Sequence, residues 1–134
     1  MKAPVIKATG SWYTVLTENS FQVDCRVKGK LRLEGSKATS PISVGDHVII
    51  DIDTREGIGS ITQLLPRKNY IIRRSTNLSK QTHVIAANID QAFLVVTLAY
   101  PRTSLGFIDR FLATAEAYSI PVHIVFNKMD IYTE

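Results

Sequence analysis

The chain has 134 residues, 45% of them hydrophobic and 21% charged, with a formal net charge of +4. That length holds one domain, or a small domain and part of a second, and the composition excludes fibrous and disordered classes. No apolar run reaches the ~18 residues that cross a bilayer, Met1-Lys2-Ala3-Pro4-Val5 lacks the core of a secretory signal, and a single cysteine excludes an internal disulfide, so a cytoplasmic protein with no membrane partner is expected.

The first half reads as short strands between turns. "SWYTVLT" (11–17) leads through Glu18-Asn19-Ser20 to "FQVDCRV", where Phe21, Val23, Cys25 and Val27 alternate with Gln22, Asp24 and Arg26. That two-residue period marks a half-buried strand and makes Cys25 a small apolar group. "KGKLRLEG" follows, with Leu31 and Leu33 against Lys30, Arg32 and Glu34. If the strand continues through Gly29, Arg26, Lys28, Lys30 and Arg32 share one face. "SPISVGD" reads as a turn, "HVIIDID" (47–53) as a strand, "REGIG" as a turn and "SITQLLP" (60–66) as a strand. Five short strands at about ten-residue spacing predict a small barrel or sandwich. In roughly 65 residues a closed five-stranded barrel of the OB type is the economical solution, because closure removes the edge strands.

The second half changes period. "QAFLVVTLA" (91–99) is nearly continuous and β-branched, the pattern of a parallel strand buried on both faces. "LGFIDRFLATAEAYS" (105–119) puts Leu105, Ile108, Leu112, Ala115 and Ser119 at helical spacing, with Ser104 as N-cap. "IPVHIVF" (120–126) is a second apolar strand, which completes a βαβ unit. Residues 1–70 are thus expected to form the barrel, 71–84 a linker and 85–134 the start of an α/β domain.

Charge follows the same division. Residues up to Val84 hold 13 Lys and Arg against 7 Asp and Glu, while the rest hold 3 against 5. A basic half points to a polyanion. The candidate nucleic-acid residues are Arg26, Lys28, Lys30 and Arg32, and the stretch "RKNYIIRRSTNLSK" with Arg67, Lys68, Arg73, Arg74 and Lys80. Trp12 and Tyr13 could stack bases, as aromatics on OB-type faces do, although a tryptophan at such a position is more often core, and Tyr70 is an aromatic neighbour of the second basic cluster. His47, His83 and His123 show no metal spacing, and His123 on its apolar strand is a packing residue. Asp51 and Asp53 alternate with Ile50 and Ile52 and face solvent. Asn88 and Asp90 read as strand-entry or interdomain residues.

Asn127-Lys128-Met129-Asp130 directly follows the second apolar strand, and ligands of open α/β sheets bind outside the carboxyl ends of strands. A carboxylate accepts two hydrogen bonds. Guanine offers two adjacent N–H donors and adenine does not, so Asp130 would select guanine. Asn127 would meet the purine's acceptors, and the Lys128 stem would lie along the base. A phosphate loop G-x-x-x-x-G-K-[ST] is missing, since the one Gly-Lys pair, Gly29-Lys30, is followed by Leu31. Either the protein is no GTPase, or the motifs are permuted and the phosphate-binding part lies beyond Glu134.

In order, "CRVKGKLR", "VGDHV", "GSITQLLPRKNYIIR", "AANIDQ", "IDRFL" and "IVFNKMD" resemble the ribosome small subunit-dependent GTPases, the RsgA/YjeQ-like family. The resemblance covers nearly the whole chain. It implies an OB barrel contacting ribosomal RNA and then a circularly permuted GTPase domain in which Asn127, Lys128 and Asp130 hold guanine. It further implies GTP with magnesium, a zinc-binding C-terminal domain outside this chain, and the small ribosomal subunit as partner in late maturation. The alternatives are an OB-type nucleic-acid adaptor without GTPase activity and a partner-binding module with no nucleotide role.

Overall fold

The computed structural model describes residues 1–29, 42–74 and 82–132, with the backbone alone at Arg74 and Thr82. Residues 30–35 of the strand expected over 28–35 therefore lie outside the described residues, with Lys30 and Arg32 among them, as does Lys80. The chain divides into two compact units, Met1–Asn88 and Ile89–Glu134.

In the first unit five strands close a barrel: β1 (Lys2–Thr9), β2 (Trp12–Leu16), β3 (Gln22–Val27), β4 (His47–Asp53) and β5 (Ile58–Leu64). Their order is β1-β2-β3-β5-β4, and β4 returns to pair with β1. The β3–β5 pair is parallel and all others are antiparallel. This is the expected OB-type barrel. Alternation sends Val15, Cys25, Val48, Ile50 and Ile61 inward to a common core. Each such Val or Ile stabilises by about 1.5–3 kcal/mol. At Gly59, opposite Cys25, a Cβ would overlap the Cys25 sulfur. Burial pushes the Cys25 thiol up to about 11, with Asp24 adding to the shift.

β1 was absent from the sequence reading. A bulge between Val5 and Lys7 breaks its alternation, and Pro4 argues against a strand. Tyr13, a candidate for base stacking, is instead a core residue. The strand expected to continue through Gly29 ends at Val27.

Of residues 71–84, expected as a linker, the described ones, 71–74 and 82–84, belong to an antiparallel pair: β6 (Tyr70–Arg74) and β7 (Thr82–Ala87). A bulge between Ile71 and Ile72 hides its period. The pair is tied to the loop before β4. Ala87 N–H donates to the Val44 carbonyl at 2.9 Å, and a Cβ at Gly45 would overlap the Ala87 carbonyl. Asn88 spans two loops, donating from Nδ2 to Gly45 O (2.9 Å) and accepting the Lys68 N–H at Oδ1 (2.9 Å).

The second unit holds β8 (Ala92–Val96), α1 (Leu105–Ala117), β9 (Val122–Phe126) and a one-turn 3-10 helix, Met129–Ile131. β8 and β9 are parallel, as the βαβ pattern predicts. Ser104 caps the helix by accepting the Phe107 N–H at 3.1 Å. The helix ends two residues before the expected 119. Ser119 takes a left-handed φ of 55°, and Ile120 N–H returns to the Ala115 carbonyl at 2.8 Å, the arrangement of a Schellman stop. On β8, Ala92, Leu94 and Val96 are buried, whereas Phe93 and Val95 are 64% and 57% exposed. Burial on both faces, the expectation for this strand, is thus corrected to burial on one, because successive side chains of a strand point to opposite faces. On the exposed face, His123 stacks on Phe93 with ring centroids 5.1 Å apart. Among the described residues no helix is long and apolar enough to cross a membrane.

Candidate functional site

The Asn-Lys-x-Asp loop leaves the carboxyl end of β9 beside the carboxyl end of β8. Asn127 N–H continues the parallel ladder to the Val96 carbonyl at 2.9 Å. Lys128 then takes a left-handed backbone, φ 57° and ψ 33°, which turns the chain into the 3-10 helix. Its ammonium donates to the Tyr100 carbonyl at 2.8 Å. The side chains of Asn127 and Asp130 are exposed and engage no other described residue. The loop thus presents one amide and one carboxylate outward from a backbone fixed at both ends.

The facing loop, 97–103, is closed on itself. Thr97 N–H donates to the Thr103 hydroxyl (2.9 Å), Thr103 N–H returns to the Thr97 carbonyl (2.9 Å), and the Thr97 hydroxyl bonds the Pro101 carbonyl. Tyr132 joins the two loops. Its hydroxyl accepts the N–H groups of Leu98 (2.8 Å) and Ala99 (2.9 Å) and donates to the Ala99 carbonyl (3.1 Å). Sequence reasoning missed Tyr132, because a tyrosine two residues past the motif carries no periodic or compositional signal.

The basic candidates divide. Arg26 pairs across the strands with Trp12, and its guanidinium carbon lies 4.1 Å from the Trp12 ring centroid. That is cation–π distance, and both groups sit on the outer face of β2 and β3. Lys28, Lys68 and Arg73 are exposed. Arg67, expected to face phosphates, is turned to an internal task. It donates from Nε and Nη2 to the two carboxylate oxygens of Asp46, at 2.7 and 2.6 Å, and hydrogen bonding to Asp46 pushes its pKa up. Asp46 is fully buried and also accepts the Ser43 N–H at 2.8 Å. A buried carboxylate demands such a partner, and Arg67 supplies it.

The N-terminal domain model of the RsgA family matches residues 3–61, and its GTPase domain model matches residues 64–134. The chain belongs to the RsgA family. The small ribosomal subunit biogenesis GTPase RsgA of Bacteroides fragilis is 58% identical over all 134 residues, which make up 43% of that protein. The Flavobacterium johnsoniae protein of the same name is 54% identical over 100% of this chain and 42% of its own length. Two solved structures share the fold. YjeQ from Thermotoga maritima has a TM-score of 0.70 at 36% identity, over 99% of this chain and 43% of its own. YloQ, described as a circularly permuted GTPase, has 0.69 at 30%, over 99% and 42%. The chain thus spans less than half the length of these RsgA-family relatives. Among its described residues no group of three or more His, Cys, Asp and Glu is placed to hold a metal ion.

Proposed function

We propose that this chain is the N-terminal portion of a circularly permuted, ribosome-associated GTPase of small-subunit biogenesis. One observation carries the guanine reading: Asn127 and Asp130 present unengaged side chains from a strand-end loop whose backbone is tied to the neighbouring strand exit. The names of the relatives support the rest. In this reading Asp130 accepts two hydrogen bonds from guanine, Asn127 meets the purine's acceptors and Lys128 lies along the base. This chain reaches the base alone. The phosphates of GTP, magnesium and the zinc of a further domain fall to residues outside it.

The barrel unit meets ribosomal RNA of the small subunit, in the cytoplasm where that subunit matures. Arg26, Lys28, Lys30 and Arg32 form one set of contacts, and Lys68, Arg73 and Arg74 another. Arg67 holds the unit together instead. The Arg26–Trp12 pair supports a stacking role, since aromatic and guanidinium planes on OB-type faces accept bases without regard to sequence.

The test is Asp130→Asn in a protein of full family length. An amide cannot accept from both donors, and losing charge-assisted hydrogen bonds weakens GTP binding about 10- to 100-fold. Unchanged GTP affinity sinks the guanine site.

A further inference from the structure

Asp130 stands between two anchors that reach the same loop. On its amino side, Asn127 N–H holds Val96 O and the Lys128 ammonium holds Tyr100 O. On its carboxyl side, the Tyr132 hydroxyl meets three backbone groups of Leu98 and Ala99. A phenol offers one donor and accepts on its oxygen, so every capacity of this hydroxyl is used. The span between the anchors is a single 3-10 turn, closed by Ile131 N–H to Lys128 O (3.2 Å) and Tyr132 N–H to Met129 O (3.3 Å). Short 3-10 turns have poor hydrogen-bond geometry and are weak alone. This one is exposed and contains no buried residue. No packing fixes the direction of its carboxylate, which leaves the two anchors to do so.

We propose that Tyr132 is a positioning residue for base selection: its hydroxyl, seated on the Leu98 and Ala99 backbone, sets the orientation in which the Asp130 carboxylate meets the base. This rests on the guanine reading given above. Tyr132 does not touch the nucleotide in this role. It acts through the loop, and the facing loop is in turn made rigid by Thr97 and Thr103.

The experiment compares GTP with ITP, whose base lacks the exocyclic amine, in a protein of full family length carrying Tyr132→Phe. This change removes the hydroxyl and keeps the ring. GTP binding is expected to weaken about tenfold and ITP binding by less, so that the preference for GTP narrows. A tyrosine that merely stabilises the fold lowers the melting temperature and leaves the GTP-to-ITP ratio as in wild type, and that result overturns the proposal. Asp130→Asn separates the two readings. If that variant keeps the wild-type ratio, the guanine site itself is wrong. If it loses the ratio while Tyr132→Phe keeps it, only the positioning role fails. A second measurement needs no variant: in the wild-type protein the Leu98 and Ala99 amides are expected to exchange slowly with solvent, and more slowly with GDP bound. Fast exchange in both states overturns the proposal as well.

Discussion

The two units solve the edge problem of a small sheet in opposite ways. In the barrel every strand has a neighbour on each side, and the inward side chains Val15, Val48, Ile50 and Ile61 are at most 1% exposed. In the βαβ unit two parallel strands share one helix, and Phe93, Val95 and Phe126 remain more than half exposed. Closure lets about 65 residues bury a complete core, whereas in the parallel pair Phe126 stays exposed even though its partner Val96 is buried. The barrel unit therefore rests on apolar burial and a buried ion pair. In the second unit, hydrogen bonds tie the Asn-Lys-x-Asp loop to the facing strand-end loop.

The largest effect that sharpens this contrast comes from Asp46→Ala. It removes the buried carboxylate that accepts from the Arg67 guanidinium and from the Ser43 N–H. Removing one member of a buried pair costs about 3–5 kcal/mol, which urea unfolding of the barrel unit measures. A loss below about 1 kcal/mol would show that the closed apolar core alone sets this unit's stability. Next comes one kind of truncation made in both units. Ile50→Ala opens a cavity in the barrel and costs about 2–5 kcal/mol. Phe93→Ala removes an exposed ring and changes stability by about 0.5 kcal/mol or less. Equal losses would break the comparison, because the β8 face would then be covered in solution. The smallest effect leaves folding intact: with Lys28→Ala, the slope of log affinity for the small subunit against log salt becomes shallower by about 1, as for one lost phosphate contact. An unchanged slope removes Lys28 from the RNA surface.

Local pattern made β2 to β5 legible, along with β8, α1 and β9, because period 2 and period 3.6 depend on neighbours a few residues away. The Ser104 cap was legible for the same reason. β1 and the β6–β7 pair were hidden by bulges at Val5/Lys7 and Ile71/Ile72, which shift parity in mid-strand. Asn127, Lys128 and Asp130 were legible as a motif, since their order and their place after an apolar strand are local facts.

What the sequence determined by itself was therefore the kind of each element, the split into a β half and an α/β half, and the place of the Asn-Lys-x-Asp motif at a strand end. The tertiary structure alone decided the partners. Asp46 and Arg67 are 21 residues apart, and Tyr132 reaches back 33 and 34 residues to Ala99 and Leu98. A side chain's charge or hydroxyl is written in the sequence. Whether it faces solvent, a phosphate or a buried carboxylate depends on which distant backbone folding brings against it, and no local periodicity encodes that choice. Arg67 and Arg26 show the result: both read as candidate phosphate ligands, yet one is held by a buried aspartate and the other lies over an indole ring on the outer face of the barrel.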